Sequence, residues 1–205
     1  MLRGTKIALR ARHESDVPVL HAELYDDVAT RSRVDSRPWR PVSPGSEASP
    51  FAVTEPDDDA APFAVVSLDN DELAGTAGLW GIDTHNRSAH LGMSLRPGFR
   101  GRGLAVDVVE VLCTYGFTVR GLHRLQLETL ADNTAMIRAA SRAGFVQEGR
   151  LRRAAWVNGE FIDEVILGLL AEEWSSGAHQ RPEGARGTAR PAPTGPQITT
   201  APAER

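Results

Sequence analysis

Cysteine is almost absent from this chain, and its scarcity excludes a good deal. The 205 residues contain one thiol, Cys113, so no intrachain disulfide can form and no zinc cage can be assembled from thiolates. Such a chain suits a reducing compartment. Long apolar runs are missing too. No stretch approaches the ~18 apolar residues of a membrane span. Met1 to Arg12 alternates charged with apolar residues and lacks the apolar core of a secretory signal. The expectation is a cytoplasmic protein with no membrane partner. Nor is charge of one sign in large excess. A net charge of -4 argues against nucleic acid held by bulk electrostatics. No internal repeat is present.

What is there reads as one domain with an appendage. A folded body of about 170 residues would bury roughly 70% of its unfolded surface, enough for one core. Near Ser175 the composition changes to Pro, Gly, Ala, Thr and Arg with almost no large apolar residue. Such a segment cannot offset its ordering entropy. We therefore expect a single domain over 1–174 and a disordered tail over 175–205.

Within the body, period-two and helical patterns alternate. Thr5 to Arg12 alternates as a half-buried strand. Ser15-Asp16 reads as an N-cap, with Pro18 in the first turn and Val17, Leu20 and Leu24 on one face. Pro38 to Asp59 is a long loop rich in Pro, Ser and Asp. Phe63 to Leu68 and Leu73 to Ile82 form a hairpin around Asp69 to Glu72. Ser88 to Leu95 is a further strand. Leu104 to Val119 is the best helix, with Ala105, Val108, Val109, Leu112 and Gly116 on one face and Asp107, Glu110 and Thr114 opposite. His123 to Leu130 alternates again. Thr134 to Ala143 is a helix closed by Gly144. Phe145 to Val157 and Glu160 to Leu169 flank Asn158-Gly159, a strong hairpin signal. The order predicts an α/β body built on a mixed, largely antiparallel twisted sheet flanked by helices.

The chemistry concentrates at Pro97-Gly98-Phe99-Arg100-Gly101-Arg102-Gly103-Leu104-Ala105, between a strand and the best helix. Glycine lets backbone approach a ligand closely. The first amides of a helix lack partners and carry the positive end of its dipole. Together they suit a phosphate or pyrophosphate. A Walker A loop would need Lys then Ser or Thr after the last glycine, but Leu104-Ala105 follows. A dinucleotide fingerprint beginning at Gly101 would need glycine at Val106. The pattern R-x-x-G-x-G/A does fit, as Arg100, Gly103 and Ala105.

With this turn the sequence resembles the GNAT superfamily, and within it the RimJ/RimL-like N-acetyltransferases. The resemblance continues through Asn133 to Gly144-Phe145, then through Glu148 to Arg152 and Asn158-Gly159 to Asp163, and covers about Thr5 to Trp174. It implies acetyl-CoA as co-substrate and no metal. It implies a pyrophosphate held by Arg100, Gly101, Arg102, Gly103, Leu104 and Ala105, with Asn133 and Arg142 as further contacts. A splay in the strand carrying Met93, Ser94 and Leu95 would receive the pantetheine arm, the amides of Met93 and Leu95 serving the thioester oxygen. The acceptor is an amine, either a peptide N-terminus or a small molecule, and the protein a monomer or homodimer.

Three acid–base positions of the family are vacant. A Tyr seven residues after the Asn is here Ala140, and a Ser three residues after it is Met136. A hairpin Glu corresponds to Ala155. His90, in Ala89-His90-Leu91-Gly92, stands where members often carry Glu, and a histidine titrates near neutrality. It is either the general base or a structural histidine. Trp39, Trp80 and Trp156 either line the acceptor pocket or are ordinary core. Asn133 can cap its helix as well as touch the cofactor. Asp163 reads as a structural hydrogen-bonding group, and Cys113 as core.

Overall fold

The computed structural model describes residues 1–35 and 37–176. The tail expected over 175–205 lies, from residue 177 onward, outside the described residues. The elements are β1 (Leu2–Arg3), β2 (Ile7–Arg10), α1 (Val17–Leu24), α2 (Val28–Arg31), β3 (Ala60–Ser67), β4 (Leu73–Asp83) and β5 (Ser88–Leu95). They continue with α3 (Leu104–Cys113), β6 (Arg124–Leu130), α4 (Thr134–Arg142), β7 (Val146–Val157), β8 (Glu160–Leu170) and α5 (Ala171–Ser176).

The strands form one sheet in the order β1-β2-β3-β4-β5-β6-β8-β7. Every neighbouring pair is antiparallel except β5 with β6. That single parallel pair requires a crossover, and α3 supplies it. The expected mixed, mostly antiparallel sheet is what forms.

Alternation along the strands gives the sheet two faces. One is covered by helices: Leu91, Leu125, Leu127 and Leu167 are buried with Val108, Val109 and Leu112 of α3. On the other face, Leu20 and Leu24 of α1 pack with Tyr25 and with Phe51 of the long loop. Arg12 ties that loop down, donating to the carbonyls of Pro50 and Ala52 and to Thr76 Oγ1 of β4. Farther along this second face, at β5 and β6, His90, Gln126 and Glu128 remain partly or fully exposed.

Two details of the helix after the glycine turn depart from the sequence reading. The helical run to Val119 widens into a π-turn over Thr114–Val119. There Thr114 Oγ1 donates to the carbonyl of Glu110, and Gly116 packs closely on Leu125, whose methyl groups a Cβ would meet at 3.1 Å. Such side-chain competition for backbone acceptors loosens a helical ladder. Asp107, read as part of a polar outer face, is instead buried at 5% exposure.

Candidate active site: a splayed strand pair ending at an uncapped helix

β5 and β6 pair over three positions only: Ser88 with Arg124, Ala89 with Leu125, and His90 with Gln126. Beyond His90 they part. β5 stays on β4 as far as Leu95, while β6 stays on β8 as far as Leu130. The result is a V-shaped gap with its apex at His90.

Two bonds fix which groups face it. The Arg87 carbonyl accepts from the amide of His123, just before β6, at 2.6 Å, and the Arg96 amide donates to Ala74 beside β4 at 2.9 Å. Successive residues turn their backbone groups to opposite edges, so the odd-numbered residues of β5 face the gap. Met93 and Leu95 thus direct amides toward it. Ser94 turns its backbone to β4, opposite Thr76.

Past Leu95 the chain makes a short turn over Pro97–Phe99 and enters α3 through two glycines. Gly101 and Gly103 have φ of +73° and +75°, a left-handed conformation costly for any residue with a Cβ. Gly103 is the N-cap residue and offers no side chain, so the first amides of α3, from Leu104 and Ala105 onward, are uncapped. An anion finds there both hydrogen-bond donors and the positive end of the dipole.

The two arginines of the turn are partly occupied. Arg100 Nε donates to the Leu95 carbonyl at 2.9 Å, and the Arg102 guanidinium lies 5.0 Å over the Phe99 ring. Asn133 caps α4: its side-chain oxygen accepts from the Met136 amide at 3.2 Å, and its Nδ2 donates to Thr129 Oγ1 at 2.9 Å. Arg142 is exposed in the last turn of α4.

At the apex, on the face opposite α3, His90 stacks on Trp80, ring centroids 6.0 Å apart at 19°. Gly92 leaves space for the indole, since a Cβ there would come within 2.8 Å of it. His90 Nδ1 is 3.8 Å from Glu128 Oε1, a charge contact rather than a hydrogen bond. Gln126 donates to that same oxygen at 2.8 Å. Across the β6–β8 pair, Glu164 shares the face. Burial, and then the charge of Glu128, push its carboxyl above the usual range. Aromatic ring, histidine and the Glu128 carboxylate therefore meet where the gap begins, and Glu164, opposite Leu130, lies farther along the same face. Sequence reasoning missed both glutamates, because only strand register brings Glu128 beside His90 and Glu164 onto the same face.

The three tryptophans do not converge. Trp39 donates its indole N–H to the Tyr25 carbonyl at 3.1 Å and anchors the long loop to α1. Trp156 pairs with Phe161, ring centroids 4.8 Å apart, on the last hairpin. Its neighbours Ala155 and Val157 are buried together with Leu130, so alternation sends Trp156 to the opposite face from Trp80. Four strand spacings, roughly 19 Å, separate their strands.

Asp163 has the structural role read for it. Its carboxylate accepts from Arg150 Nε at 2.7 Å and from the Arg153 amide at 2.8 Å. It thereby holds a bulge between Leu151 and Ala155, where Arg153 adopts φ +53°. A further link joins α2 to the mouth of the gap: Arg33 pairs with Asp132, beside Asn133, at 2.6 Å. No group of three or more potential metal ligands occurs among the described residues, and no described helix is long and apolar enough to cross a membrane.

A splayed parallel pair leading to a glycine-capped helix is a geometry suited to an extended, phosphate-bearing ligand. The acetyltransferase (GNAT) domain model matches residues 6–146, and the chain belongs to that family. Over 105 residues it is 34% identical to the N-acetyltransferase p20 of Bacillus licheniformis, covering 51% of this chain and 59% of that protein. Over 102 residues it is 32% identical to the ribosomal N-acetyltransferase YdaF of Bacillus subtilis, covering 50% and 56%. The chain thus spans a little over half the length of these relatives. Its fold is similar to that of spermidine N-acetyltransferase from Vibrio cholerae, solved in complex with CoA and spermine. The TM-score is 0.75 at 23% identity, over 83% of this chain and 99% of that one.

Proposed function

We propose that this chain is an N-acetyltransferase that passes the acetyl group of acetyl-CoA directly to a small, positively charged amine. The observation that carries the reading is the gap opening beyond His90 and leading to the uncapped start of α3. Free amides on a strand edge suit the amide-bearing pantetheine arm, and helix N-terminal amides suit pyrophosphate. Met93, Ser94 and Leu95 would line the arm. Arg100, Gly101, Arg102, Gly103, Leu104 and Ala105 would hold the pyrophosphate, with Asn133 and Arg142 alongside. The RimJ/RimL-like subtype and a cytoplasmic location belong to the same proposal.

Acetyl-CoA brings an acyl group already activated as a thioester. The protein's task is to deliver a neutral amine, to stabilise the developing oxyanion and to exclude other paths. His90 takes a proton from the amine, directly or through water. The amine nitrogen bonds to the acyl carbon, with the amides of Met93 and Leu95 serving the oxyanion. The carbon–sulfur bond then breaks, and the sulfur leaves as a thiol after taking up a proton. Cys113 stays out of this chemistry: it is fully buried, and burial pushes its thiol far up, so it offers no thiolate.

Glu128, and Glu164 farther along the same face, favour an acceptor with a second positive charge, since carboxylates and the exposed Trp80 ring both attract cations. The structural similarity to a spermidine acetyltransferase points the same way, and the acidic stretch Glu55 to Asp59 agrees. A peptide N-terminus is the competing acceptor, supported by the ribosomal relative. Thiol release from acetyl-CoA with spermidine, simpler monoamines and N-terminal peptides tests the choice. Preference for the di- and polyamines is expected, and turnover with peptides alone would overturn the small-amine reading. Ala140 and Met136, at positions where family members carry Tyr and Ser, favour a second reading as a silent CoA-binding module. It would be indicated by acetyl-CoA binding without thiol release from any amine.

A further inference from the structure

Resting on the acetyl-CoA reading above, we infer that Lys6 is a pyrophosphate-binding residue, held in place by Asp107. Nothing local marks Lys6. It lies on the turn between β1 and β2, 97 positions before Gly103. The fold nevertheless sets that turn against the start of α3. The Asp107 carboxylate accepts from the amides of Thr5, Lys6 and Ile7 at 2.9, 2.7 and 2.9 Å and from Thr5 Oγ1 at 3.1 Å. Gly4 packs directly on the same carboxylate, leaving no room for a Cβ. With its backbone so held, Lys6 extends over the helix entrance. A methyl group on Gly103 would sit 3.3 Å from its Nζ.

Three features make this a ligand contact. The ammonium has no hydrogen-bond or ion-pair partner among the described residues, although the side chain is exposed and free to find one. It stands at the positive end of the α3 dipole, where a cation is disfavoured until an anion arrives. Asp107, whose carboxylate holds the Lys6 backbone, is already satisfied by four donors of the β1–β2 turn. Meanwhile Arg100 and Arg102, the cations the motif supplies, spend part of their capacity on Leu95 and Phe99. Lys6 therefore brings a free positive charge close to the Gly103 backbone. Its position selects the pyrophosphate over the ribose phosphate of the same cofactor.

The test is calorimetric binding of CoA, dephospho-CoA and pantetheine to wild type, Lys6→Gln and Lys6→Arg. Lys6→Gln should weaken CoA and dephospho-CoA alike by about tenfold, leave pantetheine unchanged, and raise the KM for acetyl-CoA with little change in kcat. Lys6→Arg should recover most of the loss. A loss for CoA but not dephospho-CoA would assign Lys6 to the ribose phosphate and overturn the pyrophosphate assignment. Equal binding by wild type and Lys6→Gln would overturn the inference while leaving the acetyl-CoA reading intact. Failure of wild type to bind CoA would remove both.

Discussion

The carboxylate of Asp107 and the backbone amide of Lys6 meet at 2.7 Å, across 101 positions of sequence. This bond and its three companions fasten the N-terminal hairpin to the first turn of α3, the helix whose amides face the proposed pyrophosphate. Asparagine at this position would keep the shape but turn an N–H₂ group toward backbone donors. Asp107→Asn should therefore lower stability by roughly 3 kcal/mol, because charged hydrogen bonds are lost and a buried donor is left unpaired. Urea unfolding measures this directly. A change within about 0.5 kcal/mol, the range of ordinary surface substitutions, would show that the clamp contributes nothing.

His90 decides how much of the chemistry is proton transfer. His90→Ala should slow turnover by about 10²–10⁴-fold, the usual worth of general acid–base assistance, while acetyl-CoA affinity stays the same. The deficit should shrink as pH rises, because more of the amine is then already neutral. An undiminished rate in the variant would make alignment on the β5 edge sufficient and His90 a structural partner of Trp80.

At Gly103 a side chain should be poorly tolerated. Its φ of +75° strains any other residue, and an acidic group there would also repel phosphate. In wild type, acetyl-CoA should raise the melting temperature by mass action, and ATP and NAD should do so much less. Gly103→Asp should abolish the acetyl-CoA shift. Equal shifts from all three ligands in wild type would instead indicate a generic phosphate site.

Glu164 supplies a pH signature. Burial and Glu128 raise its carboxyl above the ordinary 4.5, so the folded state binds this proton more tightly than the unfolded state. Stability from this group is present below the ordinary value and is lost as pH rises through the raised one. Glu164→Gln should therefore melt higher than wild type at pH 7, with the advantage fading near pH 4. An advantage that grew on acidification would reverse the sign of this account. The same variant should weaken spermidine more than a monoamine.

Sequence legibility followed the range of the interactions. The Asn158-Gly159 hairpin, the apolar stripe of α3 and the turn from Arg100 to Ala105 were readable because each depends on residues a few positions apart. The turn His85-Asn86-Arg87 before it and Pro97-Gly98 after it also sufficed to bound the strand Ser88 to Leu95. Asp107 was misassigned because its burial depends on a hairpin about a hundred residues away, and helical periodicity shows only the helix's own faces. Lys6, Glu128 and Glu164 carry no local signal at all; strand order and register place them. Trp156 shows the reverse failure: a tryptophan suits a pocket wall, but strand parity turns it away from Trp80.

The most direct test of the central claim is mass spectrometry of a spermidine reaction with acetyl-CoA carrying an isotopic label in its acetyl group. The account predicts labelled monoacetylated amine in step with thiol release from wild type, and neither from Gly103→Asp. Bound acetyl-CoA with no labelled product from spermidine, from any other amine or from any N-terminal peptide would contradict it.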